Sequence, residues 1–423
     1  MEGCPLPIEL CHLVIDYTLE PDPWIWECNR WERKDTPYNV ISWQTSICFA
    51  WLPYARFVLY RSVVFKTPSQ VDLFCRTITE NPSLAILVRE LIIKPKDKST
   101  YIPFVRDSIL KHLRRLDTLV YDLFHRKGTW VNPLRHHLRV AKFPITELVM
   151  NYPTRWTETF QLIWSIPTLE TLRLRVGPSP EITVPDIHRL HAIQRRGACA
   201  RLKTLVLTHE DGCSFLPRRA FGTSVEQLYL EFHRRSSEIP VSTIGGQLSA
   251  HFSSFASLKG LHIQIISTDG FGSGLTEGIN AAVSDYMVPV LARLSPQTQD
   301  SLHTITYRCW CVWHDQRRQY PLELSSKKVD ELLTKFPNLL SKFPNLGSLC
   351  FWLPGKSAYD AERWKRLLRS HLPRLEGIVP ISVKIRWDEP GTENGWADDS
   401  DSGSDSASEW SPNLDFDDNR RDI

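Results

Sequence analysis

One six-residue signature recurs along most of this 423-residue chain: an apolar residue, two free positions, an apolar residue, one free position, an apolar residue. It falls at Val88/Leu91/Ile93, Leu116/Leu119/Tyr121, Ile145/Leu148/Met150, Leu169/Leu172/Leu174 and Leu202/Leu205/Leu207. It continues at Val225/Leu228/Leu230, Leu258/Leu261/Ile263, Leu302/Ile305/Tyr307 and Leu346/Leu349/Phe351. Leu375 and Ile378 open a tenth copy, which Pro380 interrupts. A single hexamer is what any buried strand produces. Nine in series, each followed by a gap long enough for a helix, constrain the fold much more tightly. The last three positions alternate in, out, in, as a short strand with one buried face requires.

The gaps carry apolar residues at helical spacing, as in Val71, Phe74 and Ile78, in Phe160 and Ile163, and in Val288 and Leu291. Prolines at 82, 167, 344 and 373 stand between such stretches and the next strand, where they stop a helix. Helix, proline stop, strand, repeat: the pattern resembles an irregular leucine-rich-repeat solenoid, in which each coil buries its apolar face against its neighbours. The expected fold class is therefore α/β, with short parallel strands alternating with helices. The strict repeat has an Asn or Cys after the strand to hold the turn, and no regular equivalent follows these strands. The tandem segments 335–341 and 342–348 read as a local duplication. An α/β domain with unrelated buried strands is the alternative reading of the same residues.

Charge is partitioned. Residues 388–423 hold 12 acids and 2 bases, a net of −10, which leaves 49 bases and 36 acids, or +13, for residues 1–387. The start of the chain shows no cationic leader followed by an apolar run, and no apolar stretch reaches the ~18 residues of a membrane-spanning helix. Ten cysteines, scattered and without a CxxC pair, suit thiols of a reducing compartment. A soluble protein of the cytoplasm or nucleus is expected.

Residues 1–66 do not follow the repeat. Leu6, Leu10, Leu13, Val14 and Tyr17 form one apolar helical stripe that opens with Pro7 in its first turn. A Trp-rich segment at about 20–40 (Trp24, Trp26, Trp31) precedes a second helical stretch from Ser42 to Trp51. A helix beginning at Pro53 and a strand ending at Phe65 then lead into the solenoid. Leu6-Pro7, Glu9-Leu10, Ile15 with Tyr17, Ile47-Cys48, Trp51 and Leu59-Tyr60-Arg61 resemble the F-box. The run Trp51-Leu52-Pro53, Ala55-Arg56, Leu59-Tyr60-Arg61 is more narrowly similar to the large F-box families of mushroom-forming fungi. The resemblance implies that Leu6, Pro7, Leu10, Ile15, Ile47, Cys48, Trp51, Leu52 and Leu59 contact the Skp adaptor of a Skp–cullin–F-box ubiquitin ligase. The insertion at 20–40 departs from that pattern. The organisation expected is an F-box-like module (1–66), a solenoid (67–387) and a disordered acidic tail (388–423).

Positions alternating with the buried ones face outward on this reading, and they offer a surface for a protein substrate. They include Asp122, Asn151, Arg173, Arg175, Thr204, Thr208, Gln227, Tyr229, Glu231, His262, Gln264, Thr306, Arg308 and Trp352. Tyr, Trp and Arg are the residue types that carry binding energy in interfaces. No nucleophile elbow, phosphate loop or dinucleotide fingerprint occurs, so no catalytic residue and no cofactor is assigned. Cys309, Cys311 and His314 lack the paired spacing of a zinc site, so no metal is assigned. Basic stretches such as 125–142 read as solvated faces rather than a nucleic-acid groove. Ser402 and Ser406 each have an acid three residues later and are possible phosphorylation sites. The −10 tail also suggests a segment that folds back over the basic body.

Overall fold

The computed structural model describes residues 52–95, 112–122, 143–151, 153, 156–176, 198–210, 220–234, 255–267, 288–292, 294–311, 338–355, 362, 365–366 and 379–387. Within them, eleven strands form one sheet in sequential order. They are β1 (Ser62–Phe65), β2 (Glu90–Ile93), β3 (Thr118–Asp122), β4 (Glu147–Asn151), β5 (Thr171–Val176) and β6 (Thr204–Glu210). The series continues with β7 (Gln227–Arg234), β8 (Gly260–Ser267), β9 (Thr304–Cys311), β10 (Ser348–Gly355) and β11 (Ile381–Trp387). Every neighbouring pair is parallel. Parallel strands need a crossover between them. A sheet whose order equals the chain order advances one strand per crossover, so this is an α/β solenoid of the leucine-rich-repeat kind.

The nine hexamers are β2 to β10, in one unbroken register. The first inward row runs Val63, Leu91, Leu119, Leu148, Leu172, Leu205, Leu228, Leu261, Ile305, Leu349, Ile381. From Leu91 to Leu349 every member is 0% exposed. Two residues on, Phe65, Ile93, Tyr121, Met150, Leu174, Leu207, Leu230, Ile263, Tyr307 and Phe351 form a second buried row. Each side chain packs between its equivalents one strand away, so the core is a stack of apolar layers rather than a central ball.

The helices lie before or between strands: α1 (Leu52–Arg61), α2 (Pro68–Glu80), α3 (Pro82–Ala85), α4 (Trp156–Ser165), α5 (Val288–Leu291) and α6 (Pro296–Ser301). The start of α2 is fixed by a capping box: Thr67 accepts from the Gln70 N–H, and the Gln70 side chain accepts from the Thr67 N–H. Its buried stripe is Val71, Phe74 and Ile78, and Phe74 meets Phe65 edge-on at 5.4 Å. Pro82 does not simply stop this helix; it opens the short α3 while Asn81 closes α2. No helix among the described residues is long and apolar enough to cross a membrane.

The turn into four of the strands (β5, β7, β9 and β10) is held by a side chain that lies before the hexamer. Thr168 Oγ1 donates to the Ile145 carbonyl at 2.7 Å, Ser224 Oγ to Leu202 at 2.9 Å, and Ser301 Oγ to Leu258 at 2.9 Å. Asn345 Nδ2 donates to the Asp300 carbonyl at 2.7 Å. Each donor immediately precedes the first apolar residue of its hexamer and reaches back one coil. The backbone repeats the linkage: both N–H groups of Asp117 and Thr118 donate to the Arg89 carbonyl, and so on through Gly347 and Ser348 on His303. A further buried residue sits three before the hexamer, as in Leu113, Ile166, Cys199, Phe255 and Phe343, and accepts from the first hexamer N–H.

The tenth copy lies in a different frame from the one the sequence suggested. Ile381 pairs with Leu349 and Val383 with Phe351, so the last hexamer starts at Ile378 rather than Leu375. Pro380 does not spoil it. It stands just before the edge strand, where no ladder N–H is required of it, and its carbonyl accepts from the Leu349 N–H at 3.0 Å.

Cys199 closes one of these turns with φ +58°, and Gly222 opens the next at φ +73°. A Cβ at Gly222 would stand 3.1 Å from the Cys199 carbonyl oxygen, which is why glycine occupies it. The Cys199 side chain is buried and its sulfur points to the Ala220 carbonyl at 3.7 Å. Burial pushes this thiol from 9.0 up to about 12. The folded protein therefore keeps a proton that the unfolded chain releases, and the stabilisation is complete below about pH 9 and lost as pH rises toward 12. Cys199 is expected to resist iodoacetamide at pH 8 in the native protein and to react once urea unfolds it, as peptide mass spectrometry reads directly.

Candidate functional site

The second face of the sheet carries three rows of side chains. The middle row starts apolar, with Val64, Ile92, Val120 and Val149, and then runs Arg173, Val206, Tyr229, His262 and Thr306, polar or aromatic except at Val206. The row beyond it runs Asp122, Asn151, Arg175, Thr208, Glu231, Gln264, Arg308, Trp352 and Lys384. All fourteen outward residues expected from the alternation fall on this one face.

Many of them are far less open than an outward position suggests. Asp122, Asn151, Arg175, Thr208, Glu231, Gln264 and Thr306 are buried. Such groups hold their place only if hydrogen-bonded, and contacts along the row do this for Asp122, Asn151, Thr208, Glu231 and Gln264. Lys94 Nζ pairs with Asp122 at 3.4 Å, and Asn151 Nδ2 donates to the other Asp122 oxygen at 3.4 Å. Further along, Thr208 Oγ1 donates to Glu231 at 2.7 Å, and Gln264 Nε2 to its second oxygen at 3.5 Å. Arg173 is held by Glu147 at 2.9 Å. These residues form the hydrogen-bonded floor of the face.

Two aromatic groupings rise above that floor. Tyr229 and His262 are neighbours in register on β7 and β8, and their rings stack 4.1 Å apart at 9°. A His262 ring nitrogen lies 3.2 Å from Gln227 Oε1. Gly260 leaves room for this arrangement, because a Cβ there would collide with the same Gln227 oxygen. On β9 to β11, the Arg308 guanidinium lies 5.1 Å from the centre of the Trp352 ring and Lys384 Nζ lies 4.8 Å from it. Two cations thus share one indole, each within cation–π range.

Lys384 and Gly260 were not found from the sequence, and neither was the Glu147 support for Arg173. The frame error in the last hexamer hid Lys384, since the correct frame sets it opposite Trp352. Nothing in the hexamer marks Gly260, which replaces the hydroxyl, amide or carboxylate common at its position.

Of the residues expected to meet the adaptor, Leu6, Pro7, Leu10, Ile15, Ile47, Cys48 and Trp51 lie outside the described residues, as does the insertion at 20–40. Leu52 and Leu59 belong to α1, with Leu59 half-buried. The helix α1 passes directly into β1 and packs Ala55 and Tyr60 inward, leaving Phe57 exposed. Ser402, Ser406 and the rest of the tail also lie outside the described residues.

No protein-family model matches the chain. No curated protein matches it either. Among solved structures, the chain is similar to the leucine-rich repeat-containing protein LegL7 from Legionella pneumophila, at 12% identity and a TM-score of 0.42. That match covers 77% of this chain and 91% of the other. The sheet order and register reported above establish the fold without it.

Proposed function

We propose that this chain is the substrate receptor of a Skp–cullin–F-box type ubiquitin ligase, its amino-terminal module binding the Skp adaptor and its sheet face binding a protein substrate. The observation that carries the substrate half is the face itself: Tyr229, His262, Arg308, Trp352 and Lys384 stand on a hydrogen-bonded floor, as the anchors of a protein interface do. The ligase half rests on the F-box resemblance of residues 1–66. A module of that size has a small core of its own, so an apolar stripe left for a partner is physically reasonable. Helix α1, the part of that module among the described residues, continues directly into β1 and so joins the module to the sheet. On this reading the chain performs no chemistry itself; it brings a substrate to the ligase.

Co-expression of the full chain with a fungal Skp adaptor tests the assignment. Stoichiometric co-purification is expected for the wild type and loss of the adaptor for a Leu6→Ala/Pro7→Ala/Trp51→Ala variant whose circular dichroism is unchanged. A folded wild type that captures no adaptor would leave a repeat protein that binds partners without a ligase.

A further inference from the structure

The two ends of the face differ in charge. Strands β2, β3, β4 and β7 contain the acids Glu90, Asp122, Glu147 and Glu231, and β5 between them contains Arg173 and Arg175. Strands β8 to β11 contain no Asp or Glu at all, and they carry Arg308, Lys384 and Arg386. Two of those cations flank one half-buried indole, Arg308 from β9 and Lys384 from β11. An anion placed over the cluster is attracted by both cations, and a partly dehydrated setting strengthens the attraction.

The chain supplies such an anion beside the site. β11 ends at Trp387, and the next residue, Asp388, begins the 36-residue stretch of net charge −10. Pro390-Gly391 is a dipeptide that favours chain reversal. From β11 back to β9 is two strand spacings, about 10 Å. The acids Asp398, Asp399, Asp401 and Asp405 follow the reversal by 7 to 14 residues, which spans that distance more than twice over when extended. A tethered segment also works at a local concentration of order millimolar, which separate acidic partners seldom reach.

We propose that the acidic segment 388–405 docks in cis on the Arg308–Trp352–Lys384 cluster and covers the carboxy-terminal end of the recognition face, so that an incoming partner must displace it. The inference concerns the face alone and does not depend on adaptor binding.

Glutamyl endopeptidase acting on the full-length chain at low salt tests it, with cleavage after Glu393 followed by mass spectrometry. The docked tail is protected, so an Arg308→Gln/Lys384→Gln variant should be cut about tenfold faster, the effect of losing one charge-assisted contact. An Asp398→Asn/Asp399→Asn/Asp401→Asn/Asp405→Asn variant, which alters no residue of the sheet, should be cut faster to the same degree. About 0.5 M salt should erase the difference by screening. Arg173→Gln on β5 should change nothing. Equal cleavage rates in the wild type and both charge variants would overturn the proposal. Equal acceleration by Arg173→Gln would overturn it too, since it would show attraction to overall charge rather than to this cluster.

Discussion

Leu228→Ala is expected to lower the unfolding free energy by about 2–5 kcal/mol, while Tyr229→Ala, one residue away, is expected to change it by no more than about 1.5 kcal/mol. Leu228 is fully buried in the inward row, in register between Leu205 and Leu261. Truncation there removes methyl groups from a stack that touches only the adjacent coils, so no distant element is available to close the cavity. Tyr229 faces the other way, half-buried, and gives up its stack on His262 rather than core packing. Urea denaturation of the two variants measures both numbers. Similar losses at the two positions would contradict the alternation on which the whole face is built.

The second large effect is expected at Phe160, where alanine should cost about 3–5 kcal/mol and leucine much less. Helix α4 presents Trp156, Phe160 and Trp164 at four-residue intervals, which stacks them on one side of the helix. Phe160 lies 5.9 Å from the Trp156 ring, 5.2 Å from Trp164 and 5.8 Å from Phe221. Trp164 Nε1 donates to the Ala220 carbonyl at 2.8 Å, a contact between residues 56 apart. This cluster therefore ties the coil before β5 to the turn before β7, skipping the one between. A stacked solenoid otherwise depends on nearest neighbours, so loss of a two-coil tie is expected to lower cooperativity as well as stability. A Phe160→Ala variant with an unchanged urea midpoint and slope would show that the tie carries no weight.

The strands were legible because a buried strand leaves a period-two trace, and the same trace set nine times gave their register. The turn device was missed through its position. In the strict repeat the polar residue follows the strand, but here Thr168, Ser224, Ser301 and Asn345 precede it, and only the coil-to-coil distances reveal what they hold. Pro380 misled for a related reason. Proline breaks a central strand, yet it is harmless just before an edge strand, and only the pairing partner distinguishes the cases.

The face was readable as a set of directions, not as surroundings. Alternation puts Glu231 outward, but it says nothing of Thr208 and Gln264 closing over its two oxygens, because those neighbours are 23 and 33 residues away. The rim shows the same limit. Lys259 and Glu226 meet at 2.9 Å across adjacent coils, and that contact holds the Glu226 carboxyl below its ordinary range. Being exposed, such pairs add little stability and act mainly on the register of neighbouring coils.

The division of labour between module and face is the central claim, and quantitative affinity purification of three full-length forms from the native cells tests it most directly. The wild type should bring down the Skp adaptor and cullin together with further proteins. The Leu6→Ala/Pro7→Ala/Trp51→Ala form should lose adaptor and cullin and keep the others. A Tyr229→Ala/Trp352→Ala form should keep adaptor and cullin and lose some of the others. Adaptor retained by the first variant, or lost from a folded second variant, would contradict the account.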